Sequence, residues 1–432
     1  MEKIEYQQVG EVAWHERLAN GLDVTVIPKK GFLKTYGLFT TKYGSIDNEF
    51  IPIGLEHYTR VPDGVAHFLE HKMFEKEEGD VFQLFGRLGA SANAFTSFTK
   101  TSYLFSTTAN VYENLEVLLN FVQDPYFTEE TVEKEKGIIA QEIKMYDDDP
   151  DWQLMLGVLR NLFPTHPLHI DIAGTTESIQ EIEPSDLYAC YDTFYHPSNM
   201  KLLVVGNVDP EMTIEFVREN QAQKDFIDMP PVQRRYPIEK PEVIVHESHQ
   251  YMDITQPKVM VGGRYFDWLP EDAFKRRQFQ YAAQFGLALL FGNTSRNYNQ
   301  WYQSRMIDDS FNYEFNLERD LCYFAVGGDT WYPTQLVQQI EAVLLNLPAG
   351  DLTSDKLEVL KKKKIGQLMN QMNSIEFIAN HYDEDNDGLT LFELPKVIES
   401  IRIQDVKESL NRIIQPNTLT RVYLEPLSAQ EK

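Results

Sequence analysis

Residues 243–432 repeat the order of strands and helices laid down by residues 1–228, and a chain with such a repeat folds as two similar lobes. In the first half, "LDVTVI" (22–27) alternates apolar and polar residues and stops at Pro28, as a strand does. "YGLFTTKYGSID" follows as a second strand closing in a Gly-Ser turn, a helix is expected over about 63–75, and "SYLFSTTA" (102–109) is another strand. From Val111 to Val122 the apolar residues fall at helical spacing. Thr128 with Glu129 and Glu130 gives the N-cap and acidic first turn of a helix running to about Tyr146, where "DDDPD" stops it. "MKLLVVGNVD" (200–209) is a buried strand leaving into a turn.

"DMPPVQRRYPIEKPE" (228–242) is rich in Pro and charge, so a linker is expected over 229–242, between a lobe of residues 1–228 and a lobe of residues 243–432. Beyond it, "KVMVGGRYF" is strand-like, "RRQFQYAAQFGLALLFG" is a long apolar helix, "DLCYFAVGGDTW" is strand-like and "PTQLVQQIEAVLLNL" is an amphipathic helix. Strands and helices mixed within each half make an α+β fold. Each lobe, at roughly 200 residues, has the size of a single domain.

Composition narrows the function. The formal charge of −26 repels nucleic acid phosphates and anionic lipid, and it attracts cations and basic peptides. The plain alternative is that acidity serves solubility. No run of 18 apolar residues occurs, so no membrane span is expected. The N-terminal stretch has no basic region followed by an apolar block, and a cytoplasmic location is expected. The two cysteines, Cys190 and Cys322, fit a reducing compartment and are expected as buried apolar residues.

"GVAHFLEHKMF" (64–74) holds the densest chemistry. His67 and His71 are four apart, so on a helix they share one face, with Glu70 beside them. Two neutral imidazoles and a neighbouring carboxylate can bind Zn²⁺ and keep a base beside it. The plain alternative is two histidines on an ordinary surface helix. Phe68 and Leu69 give the segment an apolar back, so the helix is expected half-buried, where histidines need partners. Catalytic zinc takes three protein ligands and an open position. The pentad supplies two, and Glu70 cannot serve as both ligand and base, so the third ligand lies elsewhere.

His-x-x-Glu-His inverts the common zinc-protease order and is the inverzincin signature. The fuller string "GVAHFLEHKMF" resembles the pitrilysin and insulinase family of zinc peptidases, which includes the mitochondrial processing peptidases. The whole chain is similar to a half-size bacterial member, most strongly before residue 210. The resemblance implies zinc as cofactor and two homologous lobes, each a mixed, mostly antiparallel sheet packed with helices, forming a clam-like half of a peptidase chamber. It matches "EKEKGIIAQEIKM" (133–145) to the family's second helix, which makes Glu142 the third ligand and Glu135 an outer carboxylate that orients a histidine. Glu130 and Glu133 are the competing acids, and the spacing from His71 to Glu142 is shorter than the family's usual one. "GASANAFTSFTKTSYLF" (89–105) resembles the family's active-site edge strand. Substrate backbone would add to that edge. Asn93 and Ala94 would then lie near the scissile bond, with Asn93 donating to its carbonyl; a turn role is the alternative for Asn93. By the same resemblance, Glu70 is the general base toward a zinc-activated water that attacks the peptide carbonyl, and it then protonates the leaving amine.

One feature departs from the family. Active members present an Arg and a Tyr seven positions apart from the second lobe. In "TSRNYNQWYQSRMIDDSFNYEF" (294–315), Arg296 is followed seven on by Gln303 and Arg305 by Asn312. A dimer is therefore expected, and in a heterodimer a homologous chain would supply the pair. Otherwise the pair is dispensable, or Tyr298 or Tyr302 replaces it.

Three further stretches carry weaker signals. "DEDNDGLTLFEL" (383–394) places Asp383, Asp385, Asp387 and Gly388 as in a calcium loop, but Leu394 sits at position twelve and Glu393 is one early, so an acidic loop is expected. "KKKK" (361–364) is expected as a solvated helix face, and "HPLH" (166–169) as a loop. No nucleotide-binding fingerprint occurs. The leading expectation is a zinc endopeptidase acting on peptides or unfolded segments. The alternative is a non-catalytic or partner-dependent assembly subunit of the same fold.

Overall fold

The computed structural model describes residues 1–265, 269–319, 321–383 and 388–429. They group into two compact units. The first comprises Met1–Ile143, Ile170–Tyr236 and Gln371–Glu384, and the second comprises Lys144–His169, Pro237–Asn370 and Asp385–Lys432.

Among the described residues the first unit holds a seven-stranded sheet. Its strands are β1 (Glu2–Tyr6), β2 (Glu11–Arg17), β3 (Asp23–Pro28), β4 (Thr35–Thr41), β5 (Ser91–Thr96), β6 (Thr101–Thr107) and β7 (Met200–Gly206), in the spatial order β1-β2-β3-β7-β4-β6-β5. Only β3 and β7 pair in parallel, with Val24 opposite Leu202. The central β4 and β7 are buried along nearly their whole length. A strand covered on both faces needs the continuous apolar run that "KLLVVG" supplies. The charged, alternating β1 and β2 extend the sheet at the far edge from β5.

Among the described residues the second unit has a five-stranded sheet of β8 (Glu247–Met252), β9 (Lys258–Tyr265), β10 (Asn312–Glu318), β11 (Leu321–Asp329) and β12 (Leu419–Pro426), ordered β8-β12-β9-β11-β10. Again a single pair is parallel, β8 with β12. Counted along the chain, β8 to β12 stand in the spatial order 1-5-2-4-3, and so do β3 to β7. The repeat seen in the sequence is thus a repeat of sheet topology, and the fold is α+β with mixed sheets.

The helices that bear on function are α1 (Val65–Met73), α2 (Val111–Val122), α3 (Glu129–Asp147), α4 (Pro150–Leu162), α5 (Ala273–Phe291), α6 (Pro333–Leu345), α7 (Ser354–Gln371) and α8 (Ile375–His381). The compact units are not contiguous in sequence. Helix α4 packs on β12 and β9 of the second unit, and α8 packs on β7 and β4 of the first. Each follows the long helix of its own repeat, α3 or α7, so the exchange is reciprocal.

The linker stretch has no helix and is tied down at both ends. Ile51 N–H bonds Gln233 O at 3.0 Å and Arg235 N–H bonds Glu49 O at 2.9 Å in the first unit. In the second unit the Glu239 carboxylate accepts from Thr165 N–H at 2.7 Å, and Arg264 donates to Glu242 O at 2.8 Å. Cys190 and Cys322 are buried and free.

One local expectation is corrected. Lys361 does not belong to a solvated face: it is buried and donates to Glu399 O at 2.9 Å and Ile401 O at 3.0 Å, while Lys362 and Lys363 are exposed. An apolar-flanked lysine can bury its stem when its ammonium finds carbonyls. In the calcium-like stretch, Asp385 and Asp387 lie outside the described residues, and Asp383 pairs with Lys201. "HPLH" is a short turn in which His166 Nδ1 accepts from Leu168 N–H at 3.1 Å.

Candidate metal centre

Helix α1 starts at Gly64, whose φ of +90° and close approach to Ala173 O, 2.4 Å from where a Cβ would sit, admit glycine and little else. Every α1 residue except His71 is buried, so the expectation of a half-buried helix is corrected. It is enclosed because β5 covers one side and helix Pro184–Phe194 another. Fully buried Lys72 donates to Glu75 and, at 3.3 Å, to Thr131 O, which ties α1 to the first turn of α3.

That tie sets two helical repeats against each other. His67 and His71 lie one turn apart on α1, with ring centroids 4.6 Å apart. Glu135 and Glu142 lie two turns apart on α3. Glu142 spans both histidines, with Oε1 3.6 Å from His67 Nε2 and Oε2 3.5 Å from His71 Nε2. Glu135 Oε1 lies 3.0 Å from His71 Nδ1, a hydrogen-bonding distance. A proton on Nδ1 donating to that carboxylate leaves the Nε2 lone pair of His71 toward Glu142. His67 Nδ1 is buried with no hydrogen-bond partner.

The three residues fit a metal ion. One donor atom from each of His67, His71 and Glu142 falls within 4.8 Å of the others. The separations of 3.5 and 3.6 Å exceed a normal hydrogen bond. They approach the ~3.3–3.4 Å between two donors each about 2.0–2.1 Å from a tetrahedral zinc. Two imidazoles and a carboxylate are a donor set suited to zinc.

Glu70 sits beside this trio, 8 % exposed, and its Oε2 accepts a 2.6 Å hydrogen bond from Thr96 Oγ1. Burial raises the Glu70 carboxyl above its ordinary value. The Thr96 bond and the two histidines oppose that rise, and Glu142 adds to it. For His71, burial alone would lower the imidazole pKa. The bond to Glu135 and the charges of Glu70 and Glu142 outweigh burial, and the net shift is upward. Three carboxylates around two imidazoles make a strongly cation-attracting pocket.

A groove of about 550 Å³ opens beside the trio, lined by Glu70, His71, Phe74, Phe82, Asn93 and Ala94 among others. Strand β5 forms its wall and is an edge strand, paired only with β6 among the described residues. Asn93 is exposed on that edge, and its Oδ1 accepts from Ala94 N–H at 2.9 Å.

The residues expected to hold zinc, act as base and line the substrate edge gather here: His67, Glu70, His71, Glu135 and Glu142, with Asn93 and Ala94 in the adjoining groove. The competing acids do not. Glu133 is mostly exposed and pairs with Lys136, and Glu130 is exposed. Thr96 was not singled out; a threonine ending a strand carries no sequence signal of its contact with Glu70. In the second unit, Tyr298 and Tyr302 stack with centroids 5.7 Å apart. No helix among the described residues is long and apolar enough to cross a membrane.

Comparison with known proteins gives consistent matches. Residues 50–176 match the family Insulinase (Peptidase family M16), and residues 181–364 match Peptidase M16 inactive domain. The chain is 49% identical to the uncharacterized zinc protease YmfH of Bacillus subtilis (strain 168), over 98% of this chain and 99% of that one. It is 23% identical to the zinc protease PqqE of Helicobacter pylori, over 95% of this chain and 92% of that one. A crystal structure described as an M16-like peptidase from Alicyclobacillus acidocaldarius superposes with a TM-score of 0.90 at 33% identity, covering 96% of this chain and 98% of the other.

Proposed function

Since the chain belongs to the insulinase family of peptidases, family M16, we propose that it is a zinc-dependent endopeptidase cutting peptides or unfolded segments. His67, His71 and Glu142 would hold the ion. Bound zinc supplies a Lewis acid and makes water acidic enough to lose a proton near neutral pH. Glu70 takes the proton of the attacking water as general base and returns it to the leaving amine. A carboxyl raised by burial suits a group that must both accept and release a proton. Glu135 holds His71 in the required tautomer. Asn93 and Ala94, on the open strand edge, align the substrate backbone by strand addition.

The observation that supports this reading most is the convergence of His67, His71 and Glu142 within 4.8 Å, with a buried carboxylate next to them. A structural role alone does not require that set. The net charge of −26 favours basic peptides, and the absence of a membrane-spanning helix among the described residues is compatible with a cytoplasmic location. The test is peptide hydrolysis by the zinc-loaded chain with Glu70→Gln alongside. Cleavage by the wild type and a loss of about 10²-fold or more in the variant, at equal zinc content, is the expected result. Equal rates in both proteins would reject Glu70 as the base.

A second reading has its own support. The expected Arg and Tyr pair is missing from residues 294–315, and residues 181–364 match a domain described as inactive. Under this reading the chain works in a dimer, with a homologous partner supplying the pair, or serves as a non-catalytic assembly subunit. Zinc-loaded chain that cleaves only when a homologous chain is added would favour it.

A further inference from the structure

We propose that Thr96 is a positioning residue for Glu70 and links that base to the strand edge on which substrate docks. The proposal rests on the reading of Glu70 as the base. Thr96 is the last residue of β5, two positions after Ala94. Residues two apart in a strand share a face, so Ala92, Ala94 and Thr96 form one row along the side that packs on α1. Of the three, Thr96 carries the polar group, and its Oγ1 donates to Glu70 Oε2 at 2.6 Å.

The hydroxyl is fixed from behind. Thr96 pairs across the hairpin with Thr101, whose Oγ1 is 3.3 Å away. Thr101 is fully buried and gives its one hydroxyl proton to Tyr43 O at 2.9 Å. It therefore has none to give Thr96. The Thr96 proton has two acceptors, and the carboxylate is both nearer and charged, so the proton goes to Glu70. The hairpin turn itself is clamped. Ser97 N–H bonds Lys100 O at 2.8 Å, Ser45 N–H bonds Ser97 O at 3.1 Å and Ile46 N–H bonds Phe98 O at 3.1 Å. Gly44 lies so close to this turn that a Cβ would meet Phe98 O at 2.4 Å.

With Oε2 committed to Thr96, Oε1 is the oxygen that carries the transferred proton. Thr96 can remain a donor to Oε2 whether or not Oε1 is protonated, so the carboxyl keeps one orientation through the cycle. A peptide added to the edge of β5 therefore meets a strand whose last residue already holds the base in place.

The test compares wild type, Thr96→Val, Thr96→Ser and Glu70→Gln, all zinc-loaded. Valine keeps the shape and removes the hydroxyl. Thr96→Val should lower kcat by about 10- to 100-fold, with KM and zinc content unchanged, and Thr96→Ser should restore most of the rate. Crystal structures of both variants add a readout independent of turnover. The Glu70 carboxylate should rotate away in the valine variant and stay in place in the serine variant. A valine variant with full kcat, or a Glu70 carboxylate unmoved by the loss of the hydroxyl, would overturn the proposal. A rise in KM at constant kcat would also overturn it, by placing Thr96 in substrate binding alone. If wild type and Glu70→Gln cleave equally, the reading of Glu70 as base fails, and the carboxylate position in the valine variant still decides whether Thr96 holds it.

Discussion

In the first unit, the segment between the second and third shared strands holds α1, with two histidines and a glutamate on nine residues; in the second unit it holds α5, nineteen residues with no histidine, Asp or Glu. The next long helices, α3 and α7, can be set in register by their buried residues. Val132, Lys136 and Ile143 of α3 are spaced as Leu357, Lys361 and Leu368 of α7. The lysines play the same part. Lys136 pairs with Glu133 and donates to Gln180 O at 3.0 Å, and Lys361 pairs with Glu358 and donates to two carbonyls at 2.9 and 3.0 Å. In that register Gln367 stands where the first unit has Glu142, and Leu360 where it has Glu135. The two units share the scaffold down to a buried lysine and differ in the residues that would carry charge to a metal. Topology supplies an edge strand and two facing helices; the chemistry depends on four or five side chains placed on them.

Copying the second unit into the first should have the largest effect. Glu142→Gln keeps the shape of the side chain and removes the charge, as Gln367 does. Zinc affinity should fall by more than the roughly 10–100-fold typical of losing an outer-shell partner, read by competition with a chelating dye. The reverse change, Gln367→Glu, should add no second zinc, because α5 offers no histidine. A second equivalent of bound zinc in that variant would break the comparison.

Next comes Glu135→Gln, which weakens the hold on His71 Nδ1 and should cost about 10–100-fold in zinc affinity. An unchanged affinity would remove Glu135 from the site.

A smaller effect is expected from pH. In the metal-free protein His71 titrates above its ordinary value of about 6.5, and the proton must leave before the imidazole can ligate. Zinc affinity should therefore fall by up to about tenfold per pH unit below that raised value. Without metal the sign for stability is the opposite. The His71 contribution is fully present below about 6.5 and is lost as pH rises through the raised value. Titrating zinc binding between pH 5.5 and 8 checks the first statement, and thermal melts of the chelated protein check the second.

The smallest difference should be between the lysines. Lys136→Met removes the lysine donor from the Gln180 carbonyl and Lys361→Met removes it from those of Glu399 and Ile401, each at about 1–3 kcal/mol in chemical unfolding. Similar losses would support the shared role; a loss in only one would confine it to that unit.

Much of this was legible in the sequence. Helix α2 begins and ends where the apolar spacing places it, and α3 starts after its Thr cap and ends one residue past the expected stop. The histidine pair was legible because a spacing of four has one geometric meaning on a helix. Glu142 was harder, since Glu130, Glu133 and Glu135 lie on the same helix and spacing alone does not rank them. Three features were not legible because they depend on contacts distant in sequence. They are the burial of α1 on nearly every side, the exchange of α4 and α8 between the units, and the reach of Thr96 to Glu70. Lys361 was hidden for the same reason, as a buried carbonyl cap within a run of charge.

The most direct test of the central claim is to locate the metal. Anomalous diffraction at the zinc edge from crystals of the zinc-loaded chain should show one zinc per chain in the first unit. It should lie about 2.0–2.2 Å from His67 Nε2, His71 Nε2 and a Glu142 oxygen. A zinc peak elsewhere, or none at these three residues at saturating zinc, would contradict the account.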